Sequence, residues 1–409
     1  MIVQGRWHTT SYALSLKDSS LSVAINGDHI VVCDRAGRLY SVYRAGLHQR
    51  RSLNGTILQK WSTNERQRRW LEPAEADQLI DDTADRFRQL HAALRTPDWD
   101  WVTPPDRSSA LDDLVCVLDR AAQFDSAAAR SDAARFAEVY SPIGILPPDQ
   151  YLALVLQATV GCSFNTCTFC DLYHQPFRIK TPDEFRQHIR TVRDYLGDSL
   201  RLRQRSIFLG SANALAIPMP RLLPLFEIIR DEFAPSPVQR GRDGVGAGIY
   251  AFLDAFTGTR KSEEDYRALA ERGLRRVYIG LESGHDPLLE FVRKPGHAHD
   301  AIETVSAIKA AGINIGLIVL IGLGGERFAA GHAADTVEVL NQMPLDHGDL
   351  LYFSDLVEAP GTPYPLQVEQ HGLRALERSE RAAQRNMIRN GLSPSSVKIS
   401  NYDVREFVY

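Results

Sequence analysis

Residues 152–170 read Leu152-Ala153-Leu154-Val155-Leu156-Gln157-Ala158-Thr159-Val160-Gly161-Cys162-Ser163-Phe164-Asn165-Thr166-Cys167-Thr168-Phe169-Cys170. A short apolar run, 152–159, stops at Gly161 and opens into a loop carrying three cysteines within nine positions. An apolar run bounded by turn residues is the pattern of a strand buried on both faces. The same rhythm repeats downstream, with predicted strands at 206–210, 245–252, 276–281, 313–321 and 350–357 separated by amphipathic stretches. Between the first two strands, Thr181-Pro182-Asp183-Glu184 reads as a capping box with proline at the first helical position. Phe185, Ile189, Val192 and Leu196 follow on one helical face, and Gly197 ends it. Ser262 and Asp286-Pro287 open two further helices, while Gly273 and Gly312 close others. Strands joined by helical crossovers imply a parallel sheet, either open and doubly wound or rolled into a full or partial β/α barrel. In each case a ligand belongs at the C-terminal ends of the strands.

Outward from this core the chain changes character. The segment 20–44 alternates β-branched and aromatic residues, broken by Asn26-Gly27-Asp28 and Arg35-Ala36-Gly37, which are hairpin signals. A charged helical pattern runs from about Glu72 to Leu94, and the Pro- and Trp-bearing stretch 96–106 reads as a connector. The expected divisions are 1–95, β-rich then helical; 96–148, connector and helix; 149–365, the βα series; and 366–409, a C-terminal helical extension.

The 409 residues, 44% hydrophobic and 24% charged, suit a large globular core. A formal charge of −4 gives no overall attraction to nucleic acid. The stretches from Gln49-Arg50-Arg51 to Lys60-Trp61 and Arg66–Trp70 nevertheless interleave arginine with aromatics, which an RNA surface could use, although a solvated helix face with salt-bridging arginines is the better explanation given the acidic total charge. The start lacks a basic segment followed by an apolar one, and the apolar run 315–323 is too short to cross a bilayer. Cytoplasm is the expected compartment, with no membrane partner. Five cysteines make no disulfide framework. Cys33 and Cys116 each sit in an apolar run and are expected to be buried thiols.

Three thiolates in one short loop suit a soft-metal centre. Cys162, Cys167 and Cys170 could hold three corners of a [4Fe–4S] cluster, leaving one iron open. With His174 they could instead make a tetrahedral zinc site, the centre of a non-catalytic binding protein.

The loop resembles the signature of the radical S-adenosylmethionine (SAM) superfamily, in which three cysteines hold the cluster and an aromatic residue, here Phe169, precedes the last. The usual spacing is C-x3-C-x2-C, whereas this chain has C-x4-C-x2-C. The resemblance implies a partial (β/α)6 TIM-like barrel and an enzyme whose cofactors are a [4Fe–4S] cluster and SAM. It further implies that Gly210, Ser211, Ala212 and Asn213 stand where relatives carry Gly-Gly-Glu against the methionyl ammonium, with the Asn213 amide as acceptor. Glu282 is placed against the ribose or ammonium, and Arg293 or Lys294 against the SAM carboxylate. Gly322 and Gly324, in the turn after the fifth strand, leave room for adenine. The implied reaction cleaves SAM reductively and abstracts hydrogen from an unidentified substrate, a small molecule before RNA, using electrons from a flavodoxin or ferredoxin. No residue acting on the substrate is legible. Residues 1–150 hold no Asp-x-His-x-x-Gly segment of the cobalamin-binding type, so cobalamin is not expected.

Overall fold

A computed structural model describes residues 1–63, 66–173, 175–203, 206–233, 248–255, 260–359, 361–393 and 397–409. The chain divides into two compact units. One comprises Met1–Ser141, Arg190–Arg205 and Val408–Tyr409, and the other Pro142–Ile189 and Ser206–Phe407.

The first unit is built on an antiparallel meander. Strands β1 (Ile2–Trp7), β2 (Thr10–Leu16), β3 (Ser20–Ile25), β4 (His29–Asp34), β5 (Leu39–Arg44), β6 (Leu47–Arg51), β7 (Ile57–Ser62) and β8 (Arg66–Trp70) pair in succession. The β3–β4 turn places Asn26 and Gly27 at φ 50° and 80°, the conformation that an Asn-Gly hairpin supplies cheaply. Helices α1 (Pro73–Ala93), α2 (Ser108–Ala122) and α3 (Ser126–Val139) follow. Alternate strand residues such as Val3, Leu14, Leu21, Val23 and Val31 share a core with Ile80, Phe87 and Leu90 of α1 and Leu114, Val117 and Leu118 of α2. Each of these larger side chains contributes about 1.5–3 kcal/mol by leaving water.

Two expectations change here. The stretch read as a connector holds a ninth strand, β9 (Trp99–Thr103), antiparallel to β1 with Gly5 opposite Trp101 and Trp7 opposite Trp99. Gly5 makes this pairing possible, since a Cβ there would collide with the Trp99 indole. Cys33 is buried as expected, but Cys116 is exposed. Its apolar run is helical, so the 3.6-residue period turns 116 away from buried 114, 117 and 118.

Arg51, part of the basic–aromatic segment, is no surface residue. Buried Asp132 accepts from Arg38 Nε at 2.7 Å and from Arg51 Nη2 at 3.0 Å. Arg38 also donates to Ser199 Oγ at 2.7 Å and to the Tyr195 carbonyl at 2.7 Å. His48, Lys60 and Arg68 do share one sheet face, because they lie opposite one another across β6, β7 and β8. Asp132→Ala would take the carboxylate from buried Arg51 and leave Arg38 with Asp34 alone, 4.0 Å away, and should cost about 3–5 kcal/mol in urea denaturation. A loss below about 1 kcal/mol would show that the network is dispensable.

The second unit is a parallel β/α sheet in the order β10, β13, β14, β15, β16, β17, β18. These are Leu154–Gln157, Ile207–Gly210, Ile249–Phe252, Leu274–Glu282, Asn314–Ile321, Leu350–Asp355 and Lys398–Tyr402. This parallel order is consistent with the partial barrel that the resemblance implies, a choice that the alternation alone left open. Of the expected third strand, positions 245–247 lie outside the described residues. In sequence, the helices between the strands are α4 (Pro182–Leu196) and α5 (Leu200–Arg203), whose residues from Arg190 onward belong to the first unit, and α6 (Met219–Glu232), α7 (Glu263–Glu271), α8 (Asp286–Phe291), α9 (Ala298–Ala310) and α10 (Gly325–Gln342). The α4 capping box is formed, with Thr181 N–H donating to Glu184 at 2.7 Å and Glu184 N–H to Thr181 Oγ1 at 3.2 Å. Phe185, Ile189, Val192 and Leu196 are all buried.

The segment 366–409 is more than helical. After α11 (Tyr364–Gln370) and α12 (Arg378–Gly391) it supplies β18, a seventh parallel strand beside β17. None of the described helices is long and apolar enough to cross a membrane.

Candidate active site

The cysteine loop leaves the first barrel strand and returns through a two-residue ribbon. In it β11 (Thr159–Val160) pairs antiparallel with β12 (Arg178–Ile179). Gly161, at φ 72°, stands where a Cβ would strike the Gln175 carbonyl, so only glycine fits. The loop is tied down by its threonines. Thr168 N–H donates to the Val292 carbonyl at 3.0 Å, Thr166 Oγ1 to the Arg293 carbonyl at 3.2 Å, and Tyr364 N–H to the Thr168 carbonyl at 2.9 Å.

Cys162, Cys167 and Cys170 line one cavity of about 250 Å³ at the C-terminal ends of the strands. Burial pushes the Cys167 thiol up to about 11 and the Cys170 thiol to about 12. Three thiols facing a shared space are a ready donor set for iron, whose charge would draw off their protons.

Glu282 ends β15 at φ 59°, an uncommon backbone for a non-glycine residue, where the pairing with β16 shifts register between Gly280 and Glu282. A Cβ on Gly280 would overlap the Glu282 carboxylate, so the glycine makes room for it. Lys294 Nζ stands 3.5 Å from Glu282 Oε1, both side chains being largely buried. Burial raises the Glu282 pKa against the pull of Lys294. Burial would lower that of Lys294, but Glu282 and Asp254 overcome it and hold the ammonium protonated.

The turn after Glu282 is pinned from behind. Ser283 Oγ lies 2.8 Å from His332 Nδ1, Gly284 N–H donates to Thr336 Oγ1 at 2.8 Å, and His285 Nδ1 lies 2.6 Å from Asp335. Burial lowers the His332 pKa from 6.5 to about 4. The unfolded chain therefore takes up the proton first. Stability held by the neutral imidazole is complete above pH 6.5 and drains away as pH falls toward 4, about 3 kcal/mol in all. Denaturation of His332→Gln should be flatter than that of the parent across this window, whereas parallel curves would contradict the assignment.

Residues 156–332 match the family model described as the radical SAM superfamily, and they carry the cysteine loop, Glu282 and Lys294. The barrel is a radical SAM domain. Its family are enzymes whose cofactors are a [4Fe–4S] cluster and SAM. The donor set fits that cluster: three thiols, and among the described residues no fourth cysteine or histidine lining the cavity. Among the described residues, no three His, Cys, Asp or Glu side chains converge on a single-ion site. His174, the imidazole of the zinc alternative, lies outside the described residues.

Of the SAM contacts expected from sequence, Phe169, Ala212, Asn213 and Glu282 line the cavity. Gly210, Ser211, Arg293, Gly322 and Gly324 do not. Ser211 turns to β11, its N–H donating to Thr159 Oγ1 at 2.9 Å and its hydroxyl to the Thr159 carbonyl at 3.1 Å. Arg293 is exposed and serves the cysteine loop through its carbonyl, whereas neighbouring Lys294 points into the cavity. The space that Gly322 leaves is taken by Arg381, and its N–H donates to Gln384 at 2.9 Å. Gly324 N–H donates to Tyr364 Oη at 2.8 Å. Leu320, two residues before Gly322 on β16, faces the cavity instead.

Asp254 and Tyr402 line the cavity and escaped the sequence reading. An acid two residues past an apolar strand was a legible signal for Asp254. Nothing local marked Tyr402, which arrives on β18.

The solved structures similar to this chain include the radical SAM methyltransferase TsrM from Kitasatospora setae with cobalamin and a [4Fe–4S] cluster bound. It is 16% identical, covers 57% of this chain and 41% of that one, and has a TM-score of 0.39. The cobalamin-dependent SAM radical enzyme OxsB is 15% identical over 61% of this chain and 32% of its own, with a TM-score of 0.36. SuiB from Streptococcus suis, bound to SAM, is 12% identical over 88% and 72%, with a TM-score of 0.40. This chain thus spans less than half of the first two. Among curated proteins, none matches.

Proposed function

We propose that this chain is a cytoplasmic radical SAM enzyme. It would hold a [4Fe–4S] cluster through Cys162, Cys167 and Cys170, cleave SAM reductively, and take hydrogen from a small-molecule substrate. One observation carries this reading: three cysteines of one loop share a single strand-end cavity with Asp254, Glu282 and Lys294. Cluster and nucleotide, when bound, supply the carbon-centred radical that abstracts hydrogen. The chain's own part is to bind, orient and keep out water. The thiolates anchor three irons, Lys294 offers a cation to the SAM carboxylate, and Glu282 offers acceptors for hydroxyl or ammonium donors. Apolar side chains such as Phe252, Leu320, Leu356 and Val404 form much of the wall, and a dry wall protects a radical. A formal charge of −4, with no overall attraction to nucleic acid, favours a small molecule over RNA. A low-potential flavodoxin or ferredoxin would deliver the electron.

The test is anaerobic reconstitution of the full chain, followed by iron analysis and incubation with SAM and dithionite. About four irons per chain and release of 5′-deoxyadenosine are expected. A colourless protein holding one zinc and leaving SAM intact would sink the proposal.

A further inference from the structure

The turn after β13 poses a problem of charge. Its residues, Gly210 to Asn213, include no carboxylate, yet an ammonium group entering a largely apolar cavity needs a charged acceptor. Asn213 is poorly placed to be that acceptor. Its Oδ1 accepts the Asp254 N–H at 2.9 Å, its Nδ2 donates to Ser163 Oγ at 2.8 Å, and the residue is only 1% exposed. The amide joins the end of β14 to the cysteine loop, and the lone pair left on its oxygen carries no net charge to offer an ammonium.

Besides Glu282, three carboxylates line the cavity: Asp171, which is exposed; Asp355, which is paired to Arg385; and Asp254, from the next strand. Asp254 follows β14 by two residues and faces the same space as Cys162, Cys167 and Cys170. Its charge is felt across that space, opposing ionisation of Glu282 and favouring protonation of Lys294. Glu282 is already ion-paired to Lys294.

We propose that Asp254 receives the α-ammonium of SAM, in place of the carboxylate that the β13 turn lacks. This rests on the radical SAM reading above. A zwitterionic end group brings one cation and one anion, and the cavity offers Asp254 to the first and Lys294 to the second. Asn213 is then a positioning residue: through the Asp254 backbone and through Ser163, next to Cys162, it sets the acceptor and the metal loop in one frame.

The experiment measures equilibrium binding of S-adenosylhomocysteine and of 5′-methylthioadenosine to the reconstituted full chain. The two ligands share the adenosine thioether and differ in the amino-acid end. Asp254→Asn should weaken S-adenosylhomocysteine about ten- to a hundredfold, the worth of a charge-assisted hydrogen bond, with 5′-methylthioadenosine held within about twofold. Asp254→Ser is read in the same way if the asparagine variant does not fold. Equal weakening of both ligands would overturn the proposal by showing a structural role, and so would unchanged affinity for S-adenosylhomocysteine. Failure of the unmodified protein to bind either ligand would instead remove the nucleotide site itself, and the proposal with it.

Discussion

Replacing any one of Cys162, Cys167 and Cys170 with alanine should leave a folded protein that holds little iron and forms no 5′-deoxyadenosine above background. Three thiolates are the least that fixes a cubane while leaving one iron open, so each removal takes away a third of the protein's hold. The fold should survive, because the loop does not depend on its thiols for shape. The Thr168 N–H and carbonyl bonds, the Thr166 hydroxyl and the β11–β12 ribbon hold it in place. Circular dichroism and melting of the iron-free variants should therefore match those of the iron-free parent. The same comparison separates a metal ligand from a buried structural cysteine, whose truncation would lower the melting point. If an alanine variant keeps its iron and still cleaves SAM, that cysteine is no ligand; if the triple variant does, the loop is not the site.

How much of this could be read from sequence depended on whether the signal was local. Helix α4 was legible because its capping box, apolar face and terminal glycine lie within 17 residues, and each is formed in the structure. The βα alternation was legible for the same reason, since each strand runs apolar between turn residues. Strand β9 was not, because Pro97, Pro104 and Pro105 crowd its ends and its pairing depends on a glycine about 95 positions earlier. Strand β18 was hidden for a related reason: Lys398–Tyr402 is polar and gains its place only beside β17.

At the site, residue type was easier to read than side-chain direction. Arg293 and Lys294 are adjacent cations, and only the turn after α8, with Arg293 at φ 54°, decides that the lysine points inward. Gly322 and Gly324 announced empty space, but which segment fills such space is a tertiary fact. Here Arg381 and Phe328 do so. Asn213 does line the cavity, but that its amide also bonds the Asp254 N–H and Ser163 Oγ is a tertiary fact.

Lys294→Met should be the most damaging single change in the barrel outside the cysteines, and more damaging than Glu282→Gln. The lysine is the cation between two carboxylates, Glu282 at 3.5 Å and Asp254 across the cavity. Its removal leaves both acids facing each other where water is scarce, so one must take up a proton or the turn must open. Breaking a buried pair from that side costs about 3–5 kcal/mol. Removing the carboxylate instead leaves Lys294 still balanced by Asp254, and an isosteric amide keeps acceptor capacity, so Glu282→Gln should cost under about 2 kcal/mol. Urea denaturation of the iron-free proteins measures this asymmetry directly. Nucleotide binding should follow the same order, with Lys294→Met losing S-adenosylhomocysteine while keeping more of its affinity for 5′-methylthioadenosine, which has no carboxylate to lose. Equal costs for the two variants would mean that Asp254 lies outside the balance, and the cavity would then be organised around a simple pair rather than a lysine shared by two acids.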